Sequence, residues 1–166
     1  MKNKVLKMAI IIIILLIIID QVSKILVIKH FSDFTSDSIV RIELAKNTGM
    51  AFGFNEGNTR NIFLTILVLG IILSFIRSQK EIIDTKTYIV LFFILSGAFS
   101  NLIDRIFRGG VVDFIKVYTF PNFNLADTFI VVGWILIIVF TIRYSRKKDI
   151  TVEDTKEEER KEEVEK

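Results

Sequence analysis

Two aspartates in the second half of the chain are the best candidates for chemistry. Asp113 is a lone acid in the apolar run from Gly109 to Ile115, and Asp127 closes the stretch FNLAD that follows. If they converge on one site, the two carboxyls cannot both ionise easily, so one keeps a proton. One acid can then activate water while the other protonates or polarises a carbonyl. Spacing alone leaves a second interpretation open, in which one acid caps a helix and the other is an unrelated loop residue.

The position of Asp127 favours a charged carboxylate. An apolar segment that is typical of a helix begins at about Leu125, so Asp127 lies near a helix N-terminus, where the helix dipole stabilises negative charge. Asn124 is a candidate N-cap for the same helix.

The amino-acid composition excludes several classes of enzyme. The chain has 166 residues, no cysteine and one histidine, His30. Disulfides, thiol catalysis and cysteine-ligated metal sites are therefore excluded. A Ser-His-Asp triad would have to use His30, and a histidine-cluster metal site cannot be built. We predict no metal and no other cofactor, so the chemistry must use carboxylates, lysine, hydroxyls or amides.

Two charged residues lie inside the first apolar segment, where charge is costly and therefore marks a functional candidate. Asp20 and Lys24 are four residues apart, so they share a helical face and can pair. One interpretation is a structural ion pair, and the other is a pair that also orders the active site. Ser23 precedes Lys24 directly and points in another direction on a helix, which argues against a Ser-Lys dyad.

A second polar helical face lies in the stretch from Gly97 to Arg105. Gly97 permits close approach of another helix. Asn101, Asp104 and Arg105 follow on the same face, and Asn101 and Arg105 offer amide and guanidinium donors. Hydrogen bonding between helices, with an interfacial arginine, is the alternative interpretation.

Four apolar segments predict that membrane-spanning helices position these residues. Hydrophobic residues make up 51% of the chain, and the mean hydropathy is +0.51. Each segment is near the roughly 20 residues needed to cross a bilayer, where the backbone must satisfy its own hydrogen bonds. The sequence therefore predicts an all-α membrane protein with four transmembrane helices. The segments run from about Met8 to Ile28, Ile62 to Ile76, Thr87 to Ile103 and Leu125 to Ile142.

The connections predict a small extracytoplasmic β/loop element and a charged tail. The first outer loop, from about Lys29 to Arg60, is too long for a simple connector. Partial alternation from Ser38 to Leu44 predicts a short strand, and Asn55 to Asn58 is typical of a turn. The segment 147–166 is dense in Glu and Lys, which predicts a solvated cytoplasmic tail. We therefore divide the chain into a four-helix membrane domain, 1–146, and this tail.

The distribution of basic residues predicts that both termini are cytoplasmic. Ten basic residues would lie on the cytoplasmic side: Lys2, Lys4, Lys7, Arg77, Lys80, Lys86, Arg143, Arg146, Lys147 and Lys148. Seven would lie outside: Lys29, Arg41, Lys46, Arg60, Arg105, Arg108 and Lys116. Basic residues are enriched in cytoplasmic loops, so this bias sets the orientation. It places the two aspartates near the outer face of the membrane.

Five stretches of the sequence resemble bacterial lipoprotein signal peptidases, the signal peptidase II family. They are DQVSK (20–24), NTGMAFG (47–53), GAFSNLIDR (97–105), GGVVDF (109–114) and FNLAD (123–127). The resemblance covers about Met8 to Ile142. Five such stretches in order, each in its place against four predicted spans, are specific to this family.

The resemblance implies a membrane-embedded aspartic endopeptidase that removes the signal peptide from diacylglyceryl-modified prolipoproteins, cutting just before the lipidated cysteine. It implies that Asp113 and Asp127 are the catalytic pair. Supporting or substrate-binding residues would be Asp20, Lys24, Asn47, Gly49, Asn101, Asp104, Arg105 and Asn124. The expected location is the bacterial cell membrane. The expected partners are lipid-modified prolipoproteins and membrane lipids, with no nucleic acid, and the expected working unit is a monomer.

Two residues depart from the family pattern. Ser100 stands where the family usually has glycine before the asparagine, and Met50 stands where a smaller residue is common. Neither touches the two acids, so the departures concern local packing and not the reaction.

Three other functions compete with this interpretation. The first is a small ion- or proton-coupled membrane carrier that uses buried carboxylates, although the chain has no inverted repeat and its polar groups lie towards one face of the membrane. The second is a non-enzymatic membrane scaffold, which gives no reason for two acids with supporting amides on one side. The third is a metalloprotease, for which the chain lacks ligands.

Overall fold

Four helices dominate the fold, which we describe from a computed structural model. The structure describes residues 2–31, 38–49, 57–78 and 85–143. The helices are α1 (Lys2–His30), α2 (Asn58–Ser78), α3 (Thr85–Phe107) and α4 (Leu125–Arg143). All four are long and apolar enough to cross a membrane. They confirm the four predicted segments, and the first three extend beyond the predicted bounds because polar residues continue the helix at their ends.

The central helix of the bundle is α3. In the span of α3, 67% of the residues are buried, against 11% to 17% in the other three spans. The apolar side chains of those three spans are therefore largely free to contact lipid. Helix α3 packs against α1 and α2, with Leu95 and Leu102 in the core. Since α3 carries the polar face predicted from Asn101 to Arg105, these polar residues lie inside the bundle and not towards lipid.

A close contact joins α3 to α4, as predicted for Gly97. A Cβ added at Gly97 would lie 2.3 Å from the carbonyl oxygen of Ala126 and 2.7 Å from Cγ1 of Ile130. Neither distance is compatible with a side chain, because the first involves backbone that cannot move aside cheaply. Glycine at this position therefore lets the start of α4 lie directly on α3.

A two-stranded antiparallel sheet covers one end of the bundle. Strand β1 (Val40–Asn47) pairs with β2 (Val111–Val117), and an irregularity between Ile42 and Ala45 brings Ala45 opposite Asp113. The strand predicted from Ser38 to Leu44 exists, but it starts and ends later. No pattern in the sequence predicted β2.

The chain after β2 folds back against the strand. Phe123 exchanges backbone hydrogen bonds with Ile115, its N–H donating over 3.0 Å and its carbonyl accepting over 2.8 Å. The turn includes Tyr118 at a φ of 48°. As a result, the residue that follows Phe123, Asn124, comes to lie beside the middle of β2.

Some predictions fall outside the described residues. They are the tail 147–166, Met50 and most of the turn from Asn55 to Asn58. Of that turn, Asn58 is described and is the first residue of α2.

Candidate active site

The aspartate pair, Asp113 and Asp127, lies where β2 meets the start of α4. Asp113 is in the middle of β2 and is 3% exposed. Asp127 is the third residue of α4, and its N–H donates to Oδ1 of Asn124 over 2.9 Å. In return, the N–H of Asn124 donates to Oδ2 of Asp127 over 3.1 Å. This reciprocal exchange is a capping box, so the N-cap predicted at Asn124 is present and it fixes the carboxyl of Asp127 at the helix terminus.

Three asparagines bind the carboxyls of the aspartate pair. Nδ2 of Asn124 donates to Oδ1 of Asp113 over 2.8 Å and to Oδ1 of Asn101 over 3.2 Å. Nδ2 of Asn101 donates to Oδ1 of Asp127 over 2.8 Å. Nδ2 of Asn47 donates to the second oxygen of Asp113 over 3.0 Å. The two acids are therefore held by neutral amide donors from β1, α3 and the turn before α4.

Burial and a neighbouring acid change the protonation of Asp113. The pKa of its carboxyl is raised from the ordinary 3.8 to about 6, chiefly by burial and also by the charge of Asp127. The hydrogen bonds from Asn47 and Asn124 act in the opposite direction, because they favour the charged form. Asp113 can therefore hold a proton under mildly acidic conditions, at which an ordinary aspartate is ionised.

A cavity of about 840 Å³ opens onto the aspartate pair. Polar groups from β1 and α3 line one part of it, including Glu43, Asn47 and Arg105. Apolar residues of α4, such as Ile130 and Val131, line another part. The cavity can therefore take a substrate that is polar where it reaches the acids and apolar where it lies along the helix.

A second group of charged residues, the ionic cluster of Asp20, Lys24 and Asp104, is buried next to the aspartate pair. Nζ of Lys24 lies 2.7 Å from Asp20 and 2.8 Å from Asp104, and none of the three side chains is exposed. Lys24 also donates to Oδ1 of Asn101 over 3.2 Å. The predicted ion pair is thus part of a larger cluster that touches the site through Asn101. Ser23 donates to the carbonyl oxygen of Asp20 over 2.7 Å and not towards Lys24.

The ionic cluster also binds backbone beside each acid of the pair. Oδ2 of Asp104 accepts the N–H of Val112 over 3.1 Å, and Oδ1 of Asp20 accepts the N–H of Ala126 over 2.9 Å. Val112 directly precedes Asp113, and Ala126 directly precedes Asp127. Each buried acid therefore holds the peptide group next to one acid of the aspartate pair.

Three further polar residues, none of them a predicted site residue, donate hydrogen bonds to the acids of the ionic cluster. The buried Ser100 donates to Oδ2 of Asp20 over 2.7 Å. Gln21 donates to Oδ1 of Asp104 over 3.0 Å, and Arg108 donates to the same oxygen. Arg108 lies four residues after Asp104, so helical spacing could have found it. Gln21 and Ser100 are 79 residues apart in sequence and give no local signal of their contact.

Arg105 and Gly49 form a further contact at the cavity. Nη2 of Arg105 donates to the carbonyl oxygen of Gly49 over 2.8 Å, and the N–H of Gly49 donates to Oδ1 of Asn47 over 2.9 Å. Arg105 is 9% exposed, and its Nε finds no hydrogen-bond partner among the described residues. The structure thus brings all ten predicted site residues into one continuous region.

Comparisons with known proteins point to one family. The model of the family described as signal peptidase (SPase) II matches residues 12–143. A lipoprotein signal peptidase from Halalkalibacterium halodurans is 37% identical over 142 residues, which cover 80% of this chain and 90% of that protein.

Two solved structures also resemble the fold. Both are of a bacterial membrane enzyme obtained by the in meso method, at 2.3 Å and 1.9 Å resolution, and both are 29% identical. The first has a TM-score of 0.73 and covers 86% of this chain and 92% of the other. The second has a TM-score of 0.69 and covers 81% and 92%. The fold of four apolar helices with a small sheet is therefore that of known membrane enzymes.

Proposed function

Since the chain belongs to the signal peptidase II family and removes signal peptides from prolipoproteins, we propose that it is an aspartic endopeptidase with Asp113 and Asp127 as its catalytic pair. The observation that carries the proposal is that Asn124 binds both acids, Asp113 through its side-chain amide and Asp127 through its backbone N–H. The comparisons give no support to the alternative of an ion- or proton-coupled carrier.

In the proposed reaction, the aspartate pair shares one proton. Asp113 holds it, because burial raises the pKa of this carboxyl to about 6. Asp127, at the N-terminus of α4, accepts a proton from the attacking water, and Asp113 donates a hydrogen bond to the scissile carbonyl. When the tetrahedral intermediate collapses, the C–N bond breaks and a carboxyl donates a proton to the leaving amine. No metal is needed, because the carboxyls do both the acid and the base work.

The neighbouring residues support these steps. Asn101, Asn124 and Asn47 hold the two carboxyls through their side-chain amides. Asn101, Asn47 and Arg105 also line the cavity, where their polar groups can bind the substrate backbone. Within the ionic cluster, Asp20 and Asp104 fix the backbone that carries the pair.

The proposed substrate is a prolipoprotein whose cysteine carries a diacylglyceryl group, cut just before that cysteine. The signal peptide and the acyl chains anchor such a substrate in the bilayer. A cavity bounded by the polar sheet and the apolar side of α4 can receive the cleavage site without removing the chains from lipid. All ten site residues come from one chain, which supports a monomer as the working unit.

We also infer that both termini face the cytoplasm and that the aspartate pair faces outward. The basis is the excess of basic residues at the termini and between the second and third spans. The chain has no cysteine, so single cysteines report the orientation. An impermeant thiol reagent should label Thr119→Cys in intact cells and should label Ile83→Cys only after lysis. Labelling of the second variant in intact cells would reverse the orientation.

The test of the catalytic pair is cleavage of lipidated prolipoprotein by purified variants in detergent. Asp113→Asn and Asp127→Asn should each abolish cleavage while the protein stays folded, since an amide cannot exchange the proton. The parent should show a bell-shaped pH profile and no inhibition by chelators. Asp84→Asn, the same swap between the second and third spans, should cleave at the parental rate. Substantial turnover by either variant of the pair would exclude the aspartic mechanism.

A further inference from the structure

Helix α2 buries a polar side chain near its N-terminal end. Two residues of this helix are buried, Asn61 and Leu69, and Asn61 is only 1% exposed. A buried amide is unfavourable unless it is hydrogen-bonded, so an asparagine at this position indicates a specific contact and not general packing.

The side-chain amide of Asn61 binds the turn that follows β1. Its Nδ2 donates to the carbonyl oxygen of Thr48 over 2.9 Å. A carbonyl oxygen can only accept a hydrogen bond, so this contact requires the nitrogen end of the amide. Thr48 directly follows Asn47, the last residue of β1. Asn61 therefore fixes the direction of one peptide carbonyl next to a residue that binds Asp113.

The peptide group between Thr48 and Gly49 carries this contact to Asn47. The carbonyl of Thr48 and the N–H of Gly49 belong to one planar unit, and in a trans peptide they point in opposite directions. The N–H of Gly49 donates to Oδ1 of Asn47 over 2.9 Å. A carbonyl that is held by Asn61 thus directs the N–H of the same peptide group towards Asn47.

The side chain of Asn47 passes this orientation to Asp113. Its Oδ1 accepts the N–H of Gly49, so its Nδ2 faces the carboxyl of Asp113 and donates to it over 3.0 Å. If the peptide group rotated by half a turn, a carbonyl would face Asn47 and would draw Nδ2 away from the carboxyl. Glycine at position 49 permits such a rotation, because it has no Cβ to restrict φ. The hydrogen bond from Asn61 opposes it.

Arg105 holds the other side of the same glycine. Its Nη2 donates to the carbonyl oxygen of Gly49 over 2.8 Å, and its own backbone carbonyl accepts from Nδ2 of Asn58 over 2.8 Å. Asn58 and Asn61 are three residues apart on α2, so they are neighbours on the surface of the helix. The start of α2 therefore binds the turn after β1 directly through Asn61 and indirectly through Arg105.

We propose that Asn61 is a positioning residue for Asp113, which it orients through the peptide group 48–49 and the side chain of Asn47. Of the described residues, Asn47 lines the large cavity and Asn61 does not, so Asn61 acts without touching the substrate. The inference rests on the proposed function, because it assigns Asn61 to the reaction of the aspartate pair. It goes further by giving α2 a part in that reaction.

Loss of the Asn61 amide should change the rate and its pH dependence but not the binding of substrate. Asn61→Leu has a similar volume and no donor, so kcat for a lipidated prolipoprotein should fall about tenfold, while KM stays within about twofold. The hydrogen bond from Asn47 lowers the pKa of Asp113, so its loss raises that pKa. The alkaline limb of the pH profile, on which Asp113 loses its proton, should therefore move to higher pH.

A double-mutant cycle with Asn47 tests the route. Asn47→Leu alone should also lower kcat and move the alkaline limb to higher pH. Asn61→Leu in that background should lower kcat by less than about twofold and leave the limb in place, because the contact through which it acts is already gone. Asn61→Gln keeps a donor on a longer side chain and should recover part of the rate.

The control is Thr65→Val, on the same helix and of the same shape. It removes a hydroxyl that donates to the carbonyl oxygen of Asn61 over 2.7 Å, and it leaves the amide of Asn61 in place. Its kcat and its pH profile should match those of the parent. The melting temperature in detergent is measured for every variant, so that a lost fold is not read as a lost rate.

The outcomes separate this inference from the proposed function. A folded Asn61→Leu protein with the parental kcat and pH profile would overturn the positioning role, and so would losses that simply multiply with those of Asn47→Leu. If Asn61→Leu does not fold, Asn61→Ser decides in the same way, because its hydroxyl can bond within its own helix but is too short to reach Thr48. In each of these cases cleavage by the parent still upholds the peptidase. If the parent cleaves no lipidated substrate, both inferences fall.

Discussion

Two pairs of buried aspartates lie side by side in this protein, and they differ in what neutralises them. Asp20 and Asp104 of the ionic cluster each lie within 2.8 Å of the ammonium of Lys24. Asp113 and Asp127 have no salt-bridge partner within the described part of the chain, and their hydrogen-bond donors are neutral N–H groups. The same residue type thus occurs compensated and uncompensated within one region.

Charge compensation separates a structural acid from a reactive one. A carboxylate that is matched by a buried cation and satisfied by hydrogen bonds is held in place by these partners. Two carboxyls with only amides around them must share a proton, which is the condition for acid-base chemistry. The ionic cluster can therefore hold backbone, as Asp104 holds Val112 and Asp20 holds Ala126. The aspartate pair, which has no salt bridge among the described residues, is the pair that we propose reacts.

Removing the cation should have the largest effect on stability. Lys24→Met leaves Asp20 buried without a cation and leaves Asp104 with Arg108 alone. Breaking a buried ion pair in this way typically costs about 3–5 kcal/mol. The melting temperature in detergent should fall steeply, and Lys24→Met combined with Asp20→Asn should recover part of the loss. Lys29→Met, the same swap at an exposed position of α1, should leave the melting temperature unchanged. A Lys24→Met protein as stable as its parent would mean that the ionic cluster does not hold the bundle together.

Removing an acid of the aspartate pair should raise the free energy of unfolding, and the gain should depend on pH. Burial raises the pKa of Asp113 to about 6, so the folded state binds this proton more tightly than the unfolded state. The stabilisation is full below the ordinary pKa of 3.8 and is lost as the pH rises through the folded value. Asp113→Asn has no such proton, so its free energy of unfolding relative to the parent should increase between about pH 4 and pH 7 by up to about 3 kcal/mol.

The measurement is unfolding of parent and variant in detergent at both pH values, followed by the fluorescence of Trp134. Glu43→Gln is the control, because the pKa of Glu43 is lowered by its hydrogen bond with Arg41. Its contribution is present at neutral pH and is lost as the pH falls, so this variant should lose relative stability with rising pH. If Asp113→Asn showed no pH-dependent difference from the parent, Asp113 would not be a proton-holding acid.

Much of the fold followed from the sequence because the bilayer leaves few choices. Apolar segments of this length must be helices, so the four spans were predictable, and Gly97 signalled the close contact of α3 with α4. The strand β2 was not predictable, because its partner residues are distant in sequence. Asn47 and Asp113, which are hydrogen-bonded, are 66 residues apart. A run such as Val111 to Ile115 has no pattern of its own that distinguishes a strand from the end of a helix.

The sequence grouped the candidate-site residues but did not separate them into the ionic cluster and the aspartate pair. Asp104 shares a helical face with Asn101 and Arg105, so sequence spacing grouped the three together. In the structure, Asp104 binds Lys24, while Asn101 reaches Asp127 and Arg105 reaches Gly49. A helical face fixes which way a side chain leaves the helix, but not which partner from another element meets it. Ser100, considered only as a packing departure, proves to donate to Asp20.

Asn101 is the point where the two groups of acids meet, and its removal should affect turnover more than stability. Its Oδ1 accepts from Lys24 and Asn124, and its Nδ2 donates to Asp127. A lysine ammonium can only donate, so its contact with Oδ1 fixes the amide orientation and turns Nδ2 to the carboxyl of Asp127. Asn101→Ala should therefore lower kcat about ten- to a hundredfold, equivalent to about 1.5–3 kcal/mol for a lost hydrogen bond to a charged group.

The control for Asn101 is Ser96→Ala on the same helix. Ser96 is as buried as the ionic cluster, but its hydroxyl donates only to the carbonyl oxygen of Phe93, over 2.8 Å. Single-turnover cleavage of a lipidated substrate, measured across pH, should show a lower rate and a displaced pH profile for Asn101→Ala and neither change for Ser96→Ala. A parental rate and profile in a folded Asn101→Ala protein would show that the ionic cluster and the aspartate pair are neighbours without functional contact. The link would then pass only through the backbone that Asp20 and Asp104 hold.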